Sequence, residues 1–271
     1  MAAVNGEQPQ RPDQPARSEQ SPYHDQPQYQ VIANDLRARI QRRELPPGAQ
    51  VPTEKDLAAT YGCSRNTVRM ALSALANEGL ISAGRARAGR TVRRREQFVL
   101  THRVEDELGA ARLRGPDSFA DQAHRLGRTP TQKIEVAIVA AGPEYGTRLE
   151  VPADERLVVR RRVRFLDDTP SHLSESFYPL ALVKDTPVLD PEEIVPSVVP
   201  LLAALGHRQV RFVDEIIARM PDPYEVRLLE IGIGVPVIEH LRTGWSPERP
   251  VRLTRTVLPS DRHQLRYELP G

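Results

Sequence analysis

A chain of 271 residues is long enough for two domains with separate hydrophobic cores. Its formal net charge is only +2, but residues 31–95 contain 13 Lys and Arg against 5 Asp and Glu, whereas residues 96–271 contain 23 against 27. This division indicates a basic, nucleic-acid-binding module joined to a mildly acidic one. The chain has no apolar run of about 18 residues that would predict a membrane span.

Residues 1–28 are rich in Gln, Pro and charge and contain few apolar residues, which predicts a disordered arm. The arm lacks the basic-then-apolar order of a signal peptide. A single cysteine, Cys63, excludes a disulfide framework and a cysteine-rich zinc site. We therefore expect a protein of the reducing cytoplasm.

Two helix signals separated by a tight turn follow the arm. From Tyr29, apolar residues at helical spacing predict a supporting first helix that ends before Pro46. Thr53, with an acidic residue three positions later, is typical of a capped helix start, and Gly62 ends that helix. Ser64 caps the next helix, whose apolar positions fall at i, i+3, i+4 and i+7. The turn is too short for anything but a helix-turn-helix.

The first turn of the second motif helix directs four polar side chains away from the core: Arg65, Asn66, Thr67 and Arg69. Guanidinium, amide and hydroxyl groups at a helix N-terminus read base edges and bind phosphates in a major groove. For an isolated helix, the alternative is a solvated polar face. The context favours DNA, because residues 82–92 are a glycine-bounded, arginine-rich turn between two strand-like ends, which predicts a basic wing.

Residues 29–92 resemble the winged helix-turn-helix domain of the GntR family of bacterial transcription regulators. The matching segments, in family order and spacing, are Leu45–Gly48, Pro52–Ala58, Ser64–Arg69 and Leu75–Ile81. The resemblance implies DNA contacts from Lys55, from the four recognition-helix residues named above and from the wing glycine Gly84. The basic wing adds Arg85 and Arg87 as candidates, although the wing ending Arg90-Thr91-Val92 departs from the commonest Gly-Thr-Phe.

The rest of the chain has the pattern of a sheet domain. Alternating residues predict six strands, at 133–140, 157–166, 171–178, 208–219, 237–245 and 251–258, and helices at 119–126, 198–205 and 223–230. These elements predict an α+β fold with a mostly antiparallel sheet. The expected organisation is a disordered arm (1–28), a winged helix-turn-helix domain (29–95), a linker (96–116) and an effector-binding domain (117–271).

This second part resembles the UTRA effector domain of the HutC-type branch of the family, which is similar in fold to chorismate lyase. Short matches carry the resemblance: Ser118-Phe119, Leu126-Gly127, Leu149–Pro152, Arg162–Phe165, Asp168–Pro170, Ser176–Pro179 and Asp261-Arg262. It implies effector contacts at Ser118, Phe119, Arg162, Arg164, Ser174 and Ser197. Acidic residues expected in amino-sugar-phosphate sensors fall on Ser174 and Arg252, and an expected tyrosine falls on Leu258. A more anionic effector, a less polar one, or a pocket without a ligand would explain these departures.

Strand periodicity indicates the same region. Arg160, Arg162 and Arg164 share one face of their strand, and His172, Ser174, Ser176 and Tyr178 share one face of the next. If the turn at 167–169 has three residues, the two rows pair and form a cationic surface suited to a carboxylate, a phosphate or a sugar-like anion. The alternative is that this face is the solvated side of an antiparallel sheet.

Together these patterns predict a ligand-responsive repressor that binds an inverted repeat in double-stranded DNA as a homodimer and is released by a small anion. We expect no cofactor, metal or catalytic residue, because the seven histidines lack metal-ligand spacing and no nucleophile or phosphate-loop motif occurs. Two alternatives remain open: a constitutive DNA-binding regulator without a ligand, and a chorismate-lyase-like enzyme fused to a DNA-binding head.

Overall fold

A computed structural model describes residues 26–82, 89–93, 98–103, 118–195 and 197–268. Within these ranges three helices form an N-terminal head: α1 (Gln28–Gln41), α2 (Glu54–Tyr61) and α3 (Arg65–Asn77). The body contains helices α4 (Ser118–Arg125), α5 (Gly142–Leu149), α6 (Leu180–Val183), α7 (Val198–Ala204) and α8 (Pro223–Leu229), and a 3-10 turn (Pro187–Leu189). Its strands are β1 (Phe98–Arg103), β2 (Pro130–Ala140), β3 (Arg156–Leu166), β4 (Thr169–Pro179), β5 (Arg211–Arg219), β6 (Val237–Trp245), β7 (Pro250–Pro259) and β8 (His263–Glu268).

The helix ends of the head follow from its capping residues. The Thr53 hydroxyl accepts a hydrogen bond from the Asp56 amide at 3.2 Å and caps α2. Gly62, at a φ of 61°, ends α2 in the left-handed region. Ser64 caps α3 by accepting from the Thr67 amide at 3.1 Å. The predicted helix-turn-helix is confirmed.

A small apolar core fixes the three head helices against one another. Ile32 and Leu36 of α1 are fully buried against Val68, Leu72 and Leu75 of α3. The wing is described only at its base, where the bridge Ile81–Val92 joins its two ends and the bridge Gln50–Thr91 joins its second end to the segment that precedes α2. These bridges hold the wing beside α3.

The body is built on an antiparallel sheet of six strands in the order β2-β3-β4-β7-β6-β5. All six predicted strands are present in it, and the predicted α+β class is confirmed. Strands β1 and β8 form a separate parallel ribbon in which Phe98 lies opposite His263.

Five elements of the body were not predicted: β1, β8, α5, the short helix α6 and the 3-10 turn. The ribbon strand β1 lies within residues 96–116, which were predicted as a linker, and β8 was left without structure. Both strands have only six residues, so their alternation is too short to stand out. Helix α5 begins with Gly142-Pro143, a pair typical of turns. Packing stabilises it as a helix: the Tyr145 ring lies 4.3 Å from that of Phe177, and Leu149 is fully buried.

The hairpin between β3 and β4 corrects one prediction. Its turn has two residues, Asp167 and Asp168, both with positive φ, rather than three. This turn alone would pair Arg164 with Ser171, but a register shift after Arg164 places it opposite His172. The predicted pairing of the two polar rows is therefore confirmed, although it arises from a β-bulge rather than from the turn.

Helices cover one face of the six-stranded sheet. There, Val159 and Phe177 pack against Tyr145 of α5, while Leu173 and Val257 pack against residues of and beyond α8. We call the opposite side the arginine face, because it carries Arg160, Arg162 and Arg164.

The ribbon, α4 and α7 cover parts of the arginine face. The Tyr267 hydroxyl of β8 lies 3.0 Å from the His240 imidazole of β6. The Phe119 ring of α4 lies 4.9 Å from that of His172. The described residues of the sheet therefore have covering elements on both sides.

The head rests on the body through close backbone contacts. A Cβ added to Gly232 would lie 2.1 Å from the Ala76 carbonyl oxygen, so only glycine fits at this contact. An ion pair of 2.9 Å between Arg93 and Asp261, both largely buried, joins the end of the wing to the segment before β8. The C-terminal end of α3 thus lies directly on the turn that precedes β6.

Candidate DNA interface and effector site

The first turn of α3 presents the predicted polar side chains outward. Arg65, Asn66 and Arg69 are exposed, whereas Val68 between them is buried. Thr67 is half-buried, and its hydroxyl lies 2.8 Å from the Ser64 hydroxyl. Three of the four recognition-helix candidates are thus exposed to solvent, while Thr67 is engaged in the cap.

Arg69 lies in a small ionic cluster at the junction of α2, α3 and the wing. Its guanidinium pairs with the Glu54 carboxylate at 2.9 Å, and this hydrogen bond raises the pKa of Arg69. Arg90, at the base of the wing, has a pKa lowered by burial, with the neighbouring Arg69 adding to the effect. Two cations therefore share one carboxylate here, an arrangement that a DNA phosphate could extend. Arg90 belongs to the arginine-rich wing, and no sequence pattern distinguishes it from the neighbouring arginines.

The remaining predicted DNA contacts differ in what the structure describes. Lys55 is exposed in the first turn of α2. Gly84, Arg85 and Arg87 lie outside the described residues.

On the arginine face, two guanidinium groups converge on one serine. Arg162 of β3 and Arg252 of β7 lie on either side of β4, and their Nη2 atoms are 3.5 and 3.4 Å from the Ser176 hydroxyl. Ser176 is fully buried, and Ser174, opposite Arg162, is nearly so. The Nε atom of Arg252 is buried and has no hydrogen-bond partner within the described ranges. Arg252 was noted only as a departure from the family pattern, and its convergence with Arg162 depends on strand order.

The other predicted effector residues surround this pair unequally. The Arg164 guanidinium lies 5.0 Å from the centre of the Phe119 ring, and both side chains are buried. Ser118 is the first residue of the same helix, α4. Ser197 precedes α7, which packs on Val158 and Tyr178 of the arginine face.

Arg160, the third arginine of the row, has a structural role. It donates hydrogen bonds to the carbonyl oxygens of Pro187, Val188, Asp190 and Glu192. Burial lowers its pKa. The guanidinium therefore holds the loop at 187–192 and is occupied by it.

The alternative that the arginine face is a solvated sheet surface is wrong for this part of the sheet. His172, Ser174, Ser176 and Tyr178 are all buried, as are Arg160 and Arg164. Buried polar groups need partners, so this face is organised either around its own hydrogen bonds or around a bound molecule.

Sequence reasoning missed a chain of buried hydrogen bonds at the edge of this face. The Nδ1 atom of His263 donates to the Pro259 carbonyl at 3.0 Å, so its Nε2 atom accepts from the Ser171 hydroxyl at 3.1 Å. Ser171 in turn accepts from His172 Nδ1 at 3.2 Å. Burial, with Arg262 nearby, lowers the pKa of His263 to about 3, and burial with Arg164 also lowers that of His172. Both imidazoles are neutral.

Among the described residues, no group of three or more His, Cys, Asp or Glu side chains is placed to hold a metal ion. No helix in the described part of the chain is both long and apolar enough to cross a membrane.

Comparison with known proteins decides the family. The family model "Bacterial regulatory proteins, gntR family" matches residues 28–90, and the UTRA domain model matches residues 125–264. The chain belongs to the GntR family, HutC type. An HTH-type transcriptional regulator of Rhizobium meliloti is 31% identical over 89% of this chain and 94% of its own length. The histidine utilization repressor of Pseudomonas aeruginosa is 28% identical, over 88% and 90%.

Solved structures agree with this assignment. The crystal structure of a GntR-family transcriptional regulator is 28% identical, covers 92% of this chain and 100% of its own, and superposes with a TM-score of 0.56. PhnF from Mycobacterium smegmatis, at 20% identity, covers 89% and 100% with a TM-score of 0.53 and supports the fold alone. The chain is therefore a DNA-binding, ligand-responsive transcriptional regulator, and its domains and relatives are not those of an enzyme.

Proposed function

We propose that this GntR-family regulator is a repressor that binds an inverted-repeat operator as a homodimer and is released by a small anionic metabolite. The observation that carries the anionic effector is the convergence of Arg162 and Arg252 on Ser176 inside a covered sheet face. In the amino-sugar-phosphate sensors that the body resembles, an acidic residue is expected where Arg252 lies. This chain thus places a second cation where those sensors have an anion.

DNA recognition is proposed for the exposed first turn of α3. A helix in the major groove reads bases with its N-terminal residues, which here are Arg65, Asn66 and Arg69. Further contacts to the DNA phosphate backbone, which weaken as the salt concentration rises, would come from Lys55, from the wing residues Gly84, Arg85 and Arg87, and from Arg90. Arg69 must exchange Glu54 for a phosphate or a base when it binds.

The proposed dimer uses the edge strand β5. In the described part of the chain this strand pairs with β6 on one side and with no strand on the other. It also exposes Val213, Ile216 and Ile217, so apolar side chains lie on both of its faces. A long, apolar, unpaired edge is normally covered. A second copy, related by a two-fold axis, would pair β5 with itself and match a two-fold operator.

The proposed release mechanism is linkage between the effector site and the head. An anion bound between Arg162 and Arg252 would favour a body arrangement in which the two heads no longer match the half-site spacing. A coupling free energy of roughly 1 to 3 kcal/mol would weaken operator affinity by about 5- to 150-fold.

One observation favours a second candidate, a constitutive regulator without a ligand. Two of the three arginines of the row are already engaged, Arg160 by backbone carbonyls and Arg164 by the Phe119 ring. If neighbouring protein groups also supply all the hydrogen-bond partners of Arg162, the arginine face is a structural core without a ligand.

Selection of bound sequences from a random DNA pool with the full-length protein, followed by titration of metabolites, tests the proposal. Relatives of this chain include a histidine utilization repressor and a mannosyl-D-glycerate transport/metabolism system repressor of Escherichia coli. The first compounds to titrate are therefore histidine, mannosyl-D-glycerate and other small carboxylates and phosphates. We expect an inverted repeat that one anion releases. An inverted repeat that no compound releases would favour the ligand-free candidate, and no enriched sequence would contradict the assignment of α3.

Variants separate the two surfaces. Arg65→Ala or Arg69→Ala should abolish specific binding to the operator, whereas Arg227→Ala, which changes an exposed arginine of the body, should not.

The variants Arg162→Gln and Arg252→Gln should bind the operator but no longer respond to the effector. Arg156→Gln, an exposed arginine of the same strand β3, is the matched control. A normal response in Arg162→Gln would remove that residue from the site.

A further inference from the structure

A cleft of about 300 Å³ lies between the head and the body, and neither Arg162 nor Arg252 lines it. The base of the wing supplies part of its wall, including Ser82, Thr91 and Arg93. The body supplies the rest, including Arg262 and His263. Its volume is at the lower end of the range for small-molecule sites.

Arg262 forms no ion pair with any residue that the structure describes, although the Glu230 carboxylate also lines the cleft. Its Nη2 atom donates to the Leu229 carbonyl at 3.0 Å, but its Nε atom is buried and has no hydrogen-bond partner in the described ranges. Among the described residues no carboxylate lies within ion-pair distance of the guanidinium. The other two arginines of the wall are paired, Arg93 with Asp261 at 2.9 Å and Arg128 with Asp167.

The surroundings make this cation costly to bury. Burial, and to a smaller extent the positive charge of Arg93, lower the pKa of Arg262 to about 9 against the weaker opposing effects of Asp261 and Glu230. Arginine otherwise remains protonated far above neutral pH, so the environment disfavours the charged form. A negative group placed against the guanidinium would offset this cost, because charge-assisted hydrogen bonds to arginine are strong.

The remaining walls suit a small molecule with an anionic end. The Ser82 hydroxyl, which accepts hydrogen bonds from Thr91, lines the cleft and keeps its own proton to donate, while Phe98, Leu166 and Leu229 form an apolar side. Polar groups that fix orientation within a partly apolar wall are typical of ligand sites.

We propose that this cleft binds a small oxyanion, a carboxylate or phosphate group, held by the guanidinium of Arg262 and separate from the effector site on the arginine face. Because the wing and the body both supply walls, the affinity for the anion depends on how the head is placed. By linkage, the anion in turn biases the placement of the head and hence operator binding.

The test uses the full-length protein with inorganic phosphate and benzoate as probes, titrated by calorimetry at constant ionic strength. Arg262→Gln removes the cation while keeping hydrogen-bond donors, and should weaken binding of the better probe about tenfold or more. Arg266→Gln removes the same charge from an exposed position of β8 and should bind like the wild type. Arg262→Lys, which keeps the charge but loses the planar fork, should bind with intermediate affinity.

NMR spectroscopy of the wild-type protein shows where the probe binds. Titration of the wild-type protein should shift the backbone amide resonances of Thr91, Arg93 and His263. Arg162→Gln should retain these shifts even if it loses its response at the effector site, so the cleft and the proposed effector site can fail separately. Absence of binding by both probes, unchanged affinity in Arg262→Gln, or shifts confined to the arginine face would each overturn the proposal.

Discussion

At the scale of single residues, neutral buried histidines link the stability of the body to pH. His172 and His263 share the Ser171 hydroxyl, and both have pKa values held below the ordinary 6.5, first by burial. In the unfolded chain each imidazole binds a proton near pH 6.5, whereas in the folded protein His263 does so only near pH 3. The stabilisation is therefore complete above pH 6.5 and is lost as the pH falls from there towards 3.

We predict that His263 alone lowers the free energy of unfolding by about 1 kcal/mol per pH unit over that window, and that His172 changes it in the same direction. Urea unfolding followed by circular dichroism between pH 7 and pH 4 measures the slope. His263→Asn, which keeps one donor and one acceptor, should reduce the slope, and His124→Asn, an exposed histidine of α4, controls for losing a histidine as such. An unchanged slope in His263→Asn would mean that His263 is not the titrating group.

The same scale shows how far sequence could predict the site. Helical periodicity alone separated exposed Arg65 and Arg69 from buried Val68, because the helix repeat fixes direction within one element. Strand alternation likewise placed three arginines on one face. It could not show that Arg160 holds a loop about thirty residues later in the chain while Arg162 meets Arg252, since those partners depend on tertiary contacts.

At the scale of elements, one ionic network joins α8 to the helix-covered face of the sheet. The Glu225 carboxylate, 1% exposed, pairs with Arg219 of β5 at 2.6 Å and with Arg255 of β7 at 2.8 Å. Glu225 also completes the capping box of α8 with Asp222. Burial alone would raise the pKa of Glu225, but hydrogen bonds from Arg219 and the Asp222 backbone lower it below its usual value.

Glu225→Ala should therefore destabilise the protein by about 3 kcal/mol, because it removes the most deeply buried carboxylate that Arg219 and Arg255 share, leaving them only Glu239 in common, and removes half of a helix cap. Urea unfolding at neutral pH gives the value. Glu44→Ala removes a carboxylate that is 49% exposed and pairs with Arg42 on the surface, and should cost less than about 1 kcal/mol. Equal losses in the two variants would show that the network adds nothing beyond a surface pair.

The secondary-structure elements also show which parts of the fold could not be predicted from the sequence. The six long strands and the motif helices have clear periods, and all were predicted. The bulge after Arg164, the six-residue ribbon strands and helix α5 were not, because each depends on a neighbour: the bulge on β4, β1 on β8, and α5 on Phe177. Local propensity carries no information about such partners.

At the scale of the whole molecule, the recognition helix is seated on the body through two glycines. A Cβ on Gly232 would lie 2.1 Å from the Ala76 oxygen, and one on Gly234 would lie 2.4 Å from the Asn77 oxygen. Gly232→Ala must therefore displace the end of α3. If overpacking costs roughly 1 to 3 kcal/mol and the cost falls on the operator-binding arrangement, affinity drops about 5- to 150-fold.

Fluorescence anisotropy with the selected operator measures this loss. Ile233→Ala, at the 63% exposed residue between the two glycines, should leave the affinity unchanged. Wild-type affinity in Gly232→Ala would indicate that the head leaves this turn when it binds DNA.

The two edges of the sheet offer a matched test of the proposed dimer. The double variant Ile216→Lys, Ile217→Lys places a charge on each face of β5, where a second copy would pair, and should sediment as a monomer. Its affinity for the inverted repeat should fall towards that for a single half-site, because one winged head offers a small interface. Ile138→Lys alters an equally exposed isoleucine on β2, the opposite edge, and should remain a dimer. If Ile138→Lys dissociates and the β5 variant does not, the dimer forms through β2, and the two heads would then be spaced by the other edge of the sheet.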